Sequence, residues 1–471
     1  MADRRKRAKK PLEALLEKAA PPGPPSTAEE VSRWLKQHRI EEVECAVPDI
    51  AGVARGKAMP AGKFAELKPT YLPVSIFFQD IAGGYVDFEG DGGYTEGDLA
   101  LVPDLSTLRE APWANSPTAQ VIHDVQWQNG REVEYSPRTV LKRVVRLFEN
   151  EGWSPIVAPE IEFYLTKPNP DPDYPLQPPI GRSGRAGTSK QSYALAGVDE
   201  YTEIVDDIYD FAEAQSLAID TIIQEGGNSQ LEINLQHGEP LWLADQVFFF
   251  KRTLREAAMR HKCYATFMAK PMEGEPGSAM HIHQSVVDAE TGKNIFSDKN
   301  GKPTELFYGY LAGMQTYLPA ATCLLAPYVN SYRRLVPDSA APINVEWGMD
   351  NRTTGLRVPV SPPEARRVEN RVAGADTNPY LALAASLACG YLGMKHGLKP
   401  RAAVAGNAYN KSYQLPRGLL EAVELFGGSK ELHKILGSRF SALYGQIKKS
   451  EFDAFMRVIS PWERQHLLLA V

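Results

Sequence analysis

Ala158-Pro159-Glu160-Ile161-Glu162-Phe163-Tyr164-Leu165 is the stretch that decides the fold of this chain. As a β-strand it sends successive side chains to opposite faces. One face then carries Ile156, Ala158, Glu160, Glu162 and Tyr164, and the other Val157, Pro159, Ile161, Phe163 and Leu165. Two carboxylates side by side on an apolar strand repel each other and cost desolvation unless positive charge sits between them. A divalent cation meets that need; a pair of arginines or a solvated strand face are the competing solutions. Ligands of the same kind on other strands decide between them.

They recur. Glu225 precedes a strand on which Gln230, Glu232, Asn234 and Gln236 alternate with Leu231, Ile233 and Leu235. After the loop Gly274-Glu275-Pro276-Gly277-Ser278-Ala279-Met280, a third strand sets His281, His283 and Ser285 on one face and Met280 and Ile282 on the other. Arg367-Val368-Glu369-Asn370-Arg371 repeats the charged-face pattern. Glu160, Glu162, Glu225, Glu232, His281 and Glu369 thus form an oxygen-rich set suited to Mg²⁺, with an imidazole that leaves room for Mn²⁺. So many acids exceed the charge of one ion, and two or more metal ions are expected. Arg334, Arg352, Arg357, Arg367 and Arg371 add the spread positive charge that a transferring phosphoryl group needs. No P-loop or kinase-type glycine pattern is present, so a nucleotide needs a different cradle.

Composition bounds the rest. With 471 residues, 43% of them hydrophobic, the chain has room for more than one domain with a sizeable core. A net charge of −6 argues against a general nucleic-acid binder. No apolar run approaches the ~18 residues of a membrane span, so no membrane partner is expected. Residues 1–24 read as a disordered basic and proline-rich tail, since no apolar signal core follows Arg4-Arg5-Lys6-Arg7. Cys45, Cys263, Cys323 and Cys389 lie far apart without a C-x-x-C pair, which suits reduced thiols and a cytoplasmic setting.

Along the chain, Ser26 or Thr27 caps a helix through Val31 and Leu35, and strands are expected at Val43–Val47, Val53–Met59, Leu99–Val102 and Thr118–Trp127. Asp49 sits in the turn between the first two, near Arg55. Residues 25–130 form a first, small domain. Ser136-Pro137 opens a helix and, with it, a larger domain over 131–471. Helices are expected at Val205–Gln215, at Phe248–His261 and from Asn378-Pro379 onward, and a strand at Ala265–Lys270.

The blocks around these residues resemble the glutamine synthetase family. They run from about residue 49 to 465: Asp49, Gly52 and Arg55-Gly56-Lys57; Asp104, Arg109 and Pro112-Trp113; Pro159–Phe163; Gly227–Asn234; Lys270-Pro271 and Gly277–His283; Asn330–Arg334; Asn351-Arg352; and Asp376–Tyr380. The resemblance implies an α+β fold, with an N-terminal β-grasp domain and a catalytic domain built on a curved antiparallel half-barrel sheet with outer helices. It implies ATP, glutamate and an amine as substrates, and a homo-oligomer of stacked rings, a dodecamer. Glu162, Glu225 and Glu232 would hold one metal, and Glu160, His281 and Glu369 the other. His283, Ser285, Arg352 and Arg357 fall at nucleotide and phosphate positions. Gly277, His281, Arg334 and Arg371 fall at glutamate positions. Asp49 falls where a neighbouring subunit completes the ammonium site, and Asp49, Arg334 and Arg352 are the expected catalytic groups.

The departures are informative. The flap glutamate that takes the ammonium proton in true glutamine synthetases aligns with Ala340, within Val336-Pro337-Asp338-Ser339-Ala340-Ala341-Pro342. Pro276 and Ala279 stand where Asn and Gly are usual. Losing the flap carboxylate weakens ammonium use and opens room for a larger amine. The flap Asp338-Ser339-Ala340 and the loop before His281 resemble γ-glutamylpolyamine synthetases, which join glutamate to putrescine or longer polyamines. A distal ammonium then needs an acid, and the candidates are Asp338 and the loop acids from Asp80 to Glu96, for which a solvated surface is the competing role. An ammonia-using glutamine synthetase is the alternative. A guanidino kinase fits the full block match less well, and a non-catalytic relative would have lost ligands that are all present here.

Overall fold

The computed structural model describes residues 24–88, 97–187 and 190–471. The basic tail before Pro24 and the loop acids Glu89, Asp91 and Glu96 lie outside the described residues.

Two sheets organise the chain. The first contains β1 (Glu42–Pro48), β2 (Ala54–Pro60), β3 (Thr70–Pro73), β4 (Asp98–Pro103), β5 (Arg109–Glu110) and β6 (Thr118–Gln126), in the order β2-β1-β6-β4-β3 with β5 on β6. Its β1–β6 pair is parallel. Helix Ala28–Gln37 starts from a capping box between Thr27 and Glu30, so its first free amides are satisfied locally. Val31 and Leu35 on one helix stripe pack with Val43, Cys45, Ala119 and Val121. One helix over a small mixed sheet is the β-grasp arrangement the family resemblance implies.

The second sheet holds β7 (Trp153–Thr166), β8 (Ile219–Gln224), β9 (Gln230–Leu235), β10 (Tyr264–Thr266), β11 (Met280–Asp288), β12 (Trp347–Met349), β13 (Leu356–Val358) and β14 (Val368–Asn370). Their order is β12-β13-β14-β11-β7-β9-β8, with β10 on β7. It is antiparallel, as the resemblance implies, with one parallel pair at its edge, β12–β13. The alternation read in β7 holds: Val157, Ile161, Phe163 and Leu165 are buried on the core side.

Several boundaries differ from the sequence expectation. Helix Pro240–Arg260 begins at Pro240 rather than Phe248, with Glu239 accepting from the Trp242 amide at 3.0 Å. Phe248, Phe249 and Phe250 are all buried, so the helix has no single apolar stripe to mark its start. The Ala265–Lys270 strand is only Tyr264–Thr266. Helix Glu305–Leu325 had no sequence signal because it is apolar on all sides and carries Pro319 inside. It packs against helix Pro379–Lys395 backbone to backbone: a Cβ on Gly313 would collide with the Cys389 carbonyl, and one on Gly393 with that of Gly309.

The sheets are tied by charge. Buried Arg138 reaches Asp104 at 2.6 Å and Asp124 at 2.7 Å on the first sheet side, and Asp245 on helix Pro240–Arg260 at 2.8 Å. Asn378 caps helix Pro379–Lys395 through its side-chain oxygen, while its Nδ2 donates to the Asp49 carbonyl at 2.9 Å. Asp49 lies in the expected turn between β1 and β2. It is buried, pairs with Arg55 at 2.7 Å and accepts from the Val53 amide at 2.8 Å. All four cysteines are free and buried. Among the described residues no helix is long and apolar enough to cross a membrane.

Candidate active site

The strand registers bring the acids together. Glu160 on β7 stands opposite His281 on β11 and Asn234 on β9; Glu162 opposes Glu232; His283 opposes Glu369 on β14. Like charges directly across a strand pair destabilise it, so the Glu162–Glu232 pair marks a place built for a counter-charge. Glu225 follows β8, and its amide bonds the Gln230 carbonyl at 2.9 Å. A cavity of about 660 Å³ opens over this floor, lined by Glu160, Glu162, Glu225, Glu232, His281 and Glu369 together with Arg334, Arg352, Arg357 and Arg371.

The electrostatics divide the acids into two groups. Burial pushes Glu162 up to about 8, and the nearby Glu225 carboxylate adds to it. Burial likewise raises Glu232 to about 9, with Glu160, Glu162 and Glu225 pushing the same way. Burial also raises Glu369, but Arg371 and the two histidines outweigh it and hold the carboxyl at about 2. Glu160 is desolvated too, yet hydrogen bonds from His281 and His283 hold it well below the usual carboxylate range. Burial, then Arg371, lowers His281 to about 4, so its ring is neutral and able to ligate.

Distances define what this floor can bind. His281 Nδ1 lies 3.3 Å from Glu160, 3.8 Å from Glu369 and 3.9 Å from Glu162. Ligand atoms of Glu160, Glu232 and His281 converge within 4.8 Å, and so do those of Glu160, His283 and Glu369. These triads share Glu160 and differ from the grouping implied by the family resemblance, for local reasons. Glu162 Oε2 is turned to the Ala279 amide at 2.8 Å and the Gln230 side-chain amide at 3.2 Å. His283 Nε2 meets Glu160 at 2.8 Å. The donor set and its mutual repulsion fit divalent cations.

Around the floor stand the arginines. Arg357 and Arg371 grip Glu369 at 2.6 and 2.5 Å, and Arg357 also pairs with Asp350. Buried Arg334 donates to the carbonyls of Val372 at 2.9 Å and Arg371 at 2.8 Å, which fixes its position. Arg352 lines the cavity without an ion pair among the described residues. Gly277 is obligatory, since a Cβ there would lie 2.6 Å from both the Ala269 carbonyl oxygen and Arg334 Cγ. Arg367 donates to His283 Nδ1 at 3.1 Å. His283 and Ser285 share the acid face of β11 but do not border the cavity.

Loops build the mouth. The flap residues Asp338, Ser339, Ala340 and Ala341 line it, with Asp338 at φ 58° and Ala340 at φ 61°. Non-glycine residues in this left-handed region carry strain of ~1–2 kcal/mol each. Ser192 and Tyr193 stand on the other side, Tyr193 at φ 67° with its amide on the Gln224 carbonyl at 2.9 Å. Tyr193, Thr353 and Tyr409 were not selected from sequence, because each comes from a loop without a repeating pattern. Gln230 carried a signal, its place on the acid face of β9. Asp80 and Asp49 do not line the cavity of their own chain; Asp80 accepts from its own turn at Ala82 and Gly84. Tyr413 is half-buried beneath the Arg417 guanidinium.

Comparison with known proteins places this geometry. Residues 134–467 match the glutamine synthetase catalytic domain. The chain is 36% identical over 449 residues to the gamma-glutamylputrescine synthetase PuuA of Escherichia coli (strain K12), covering 93% of this chain and 94% of that protein. It is 34% identical over 450 residues to a glutamate–isopropylamine ligase of a Pseudomonas species, covering 92% and 96%. Among solved structures, the GmaS/ADP complex superposes with a TM-score of 0.80 at 26% identity, over 93% of this chain and 99% of that one. The chain therefore belongs to the glutamine synthetase family and is by class an ATP-dependent glutamate–amine ligase.

Proposed function

We propose that this enzyme joins the γ-carboxyl of glutamate to putrescine or another polyamine through a γ-glutamyl phosphate. A glutamate γ-carboxylate oxygen attacks the γ-phosphorus of ATP, the bond to the β–γ bridging oxygen breaks, and ADP leaves. The amine nitrogen then attacks the acyl carbon, the carbon–oxygen bond to phosphate breaks, and inorganic phosphate departs. Arg334, Arg352, Arg357 and Arg371 lie where they can neutralise phosphoryl and carboxylate oxygens. Glu160, Glu162, Glu225, Glu232, His281 and Glu369 would hold two or more Mg²⁺ or Mn²⁺ ions, which supply charge neutralisation for the transferring phosphoryl group.

One observation carries the choice of amine: Ala340, exposed at the cavity mouth, stands where an ammonium-binding flap carboxylate is expected. The neighbouring Asp338 supplies a carboxylate to the proton leaving the attacking nitrogen or to a distal ammonium, and the Tyr193 ring supplies a wall for an alkyl chain. Asp49, buried away from the cavity of its own chain, is assigned to a neighbouring subunit's site within a dodecamer of stacked rings. The four free, buried cysteines support a cytoplasmic setting.

The test is phosphate release from ATP with glutamate and Mg²⁺, scanned over ammonium, putrescine, cadaverine, spermidine, spermine and ethanolamine. Saturation by a diamine or polyamine at concentrations where ammonium is inert is the expected result. Ammonium as the best acceptor would overturn the assignment in favour of a glutamine synthetase.

A further inference from the structure

The segment from Arg401 to Leu415 has almost no regular structure, yet it is bonded at both ends of the catalytic cavity. Beside Arg352, Asn351 Nδ2 donates to the carbonyls of Val404 at 3.0 Å and Gly406 at 2.9 Å, and the Ala408 amide donates to Thr353 Oγ1 at 2.9 Å. These contacts bracket Arg352. Toward the flap, Asn344 Nδ2 donates to the Ala408 carbonyl at 3.0 Å, and Gln414 Oε1 accepts from the Val345 amide at 3.1 Å. Between these ties stands Tyr409, which lines the cavity and donates its hydroxyl to the flap carbonyl of Ala341 at 3.0 Å.

The flap needs such a tie. Asp338 and Ala340 are both left-handed, a conformation that persists only where the surroundings impose it. The near side is imposed by Ser339, whose Oγ donates to the Arg334 carbonyl at 2.8 Å. The far side has the Tyr409 hydroxyl, contributed by a segment that also holds the Arg352 loop. From this geometry we infer that Tyr409 is a positioning residue that pins the flap over the acyl phosphate and so decides whether amine or water reaches it. This rests on the ligase assignment above. When the flap is loose, water attacks the acyl carbon, the bond to phosphate breaks, and glutamate and inorganic phosphate return. The net reaction is then ATP hydrolysis without amide.

The test compares the full-length protein with Tyr409→Phe, which keeps the aromatic wall and removes only the hydroxyl. Amide formed per phosphate released is measured with the best amine of the scan, alongside separate KM values for amine, glutamate and ATP. Loss of one hydrogen bond to the flap raises the amine KM by about fivefold and lowers the amide-to-phosphate ratio by at least about twofold, with the glutamate and ATP KM values changing less than about twofold. A ratio equal to that of the wild type overturns the inference while leaving the ligase assignment intact. So does a parallel change in all three KM values with a lowered Tm, which is the mark of a merely structural residue. A wild type that forms no amide with any amine overturns both.

Discussion

The floor and the mouth of the cavity are built on opposite principles. The floor is strand: Glu160, Glu162, Glu232, His281 and Glu369 are set by ladder register, and a one-residue slip would turn each of them into the core. The mouth is loop: Asp338, Ala340 and Tyr193 sit in left-handed backbone, beside the Ser339 hydroxyl on the Arg334 carbonyl, the Tyr409 hydroxyl on the Ala341 carbonyl and the Tyr193 amide on the Gln224 carbonyl. On the proposed function, the floor is then expected to serve phosphoryl transfer whatever the acceptor, and the mouth to set which amine enters. The contrast predicts that chemistry and substrate choice are separable here.

The most severe way to break that division is at the floor. Glu160 belongs to both converging triads and is hydrogen-bonded by two histidines. Glu160→Gln keeps the shape and removes the charge. Phosphate release with every amine should fall by roughly 10²–10³-fold, and calorimetric titration with Mn²⁺ should lose affinity. A variant that keeps activity toward one amine only would refute the view that the floor is indifferent to the acceptor.

How legible each region was in the sequence follows from the same contrast. The alternation of Glu160 and Glu162 with Ile161 and Phe163 is a local, period-two signal, and the structure buries the predicted face. The same holds for His281 and His283 against Met280 and Ile282. Asn378-Pro379 announced its helix through cap chemistry, and the side chain does cap it. Helix Glu305–Leu325 was invisible because a helix buried on all sides has no amphipathic period, and its reason for Gly309 and Gly313 lies in a partner helix far along the chain. Tyr193 and Tyr409 were invisible for a different reason. Their roles depend on where a loop returns in space, which no spacing records. The displaced start of helix Pro240–Arg260 belongs to the first kind of miss, since consecutive buried phenylalanines erase the stripe.

A milder intervention tests the mouth alone. Ala340→Glu introduces a carboxylate at a position that lines the cavity and is not one of the candidate metal ligands. The ratio of kcat/KM for ammonium to that for the best polyamine should rise by about tenfold or more, since one added charge-assisted interaction is worth about that factor. The KM for ATP should stay where it was. A variant that loses all amines equally would mean that the flap governs closure rather than acceptor choice.

The smallest effect probes how the floor carries its charge. Glu162 at about 8 and Glu232 at about 9 bind their protons more tightly than in the unfolded chain, where carboxylates titrate near 4.5. Their contribution to stability is therefore full below about pH 4.5 and is lost as pH rises through 8–9. His281, lowered to about 4, works in the opposite direction, but only below its unfolded value of 6.5. Lys251, which burial lowers to about 7, adds stability as pH rises above 7, and it does so whether or not a cation is bound. The difference between Tm with Mg²⁺ and Tm with chelator cancels the Lys251 effect and isolates the acids. That difference should widen by a few degrees between pH 6.5 and 9, because the cation takes the place of the protons the acids give up. A flat difference across that window would mean that Glu162 and Glu232 stay ionised without a cation, and that the strand-borne floor relieves its own repulsion through the arginines alone.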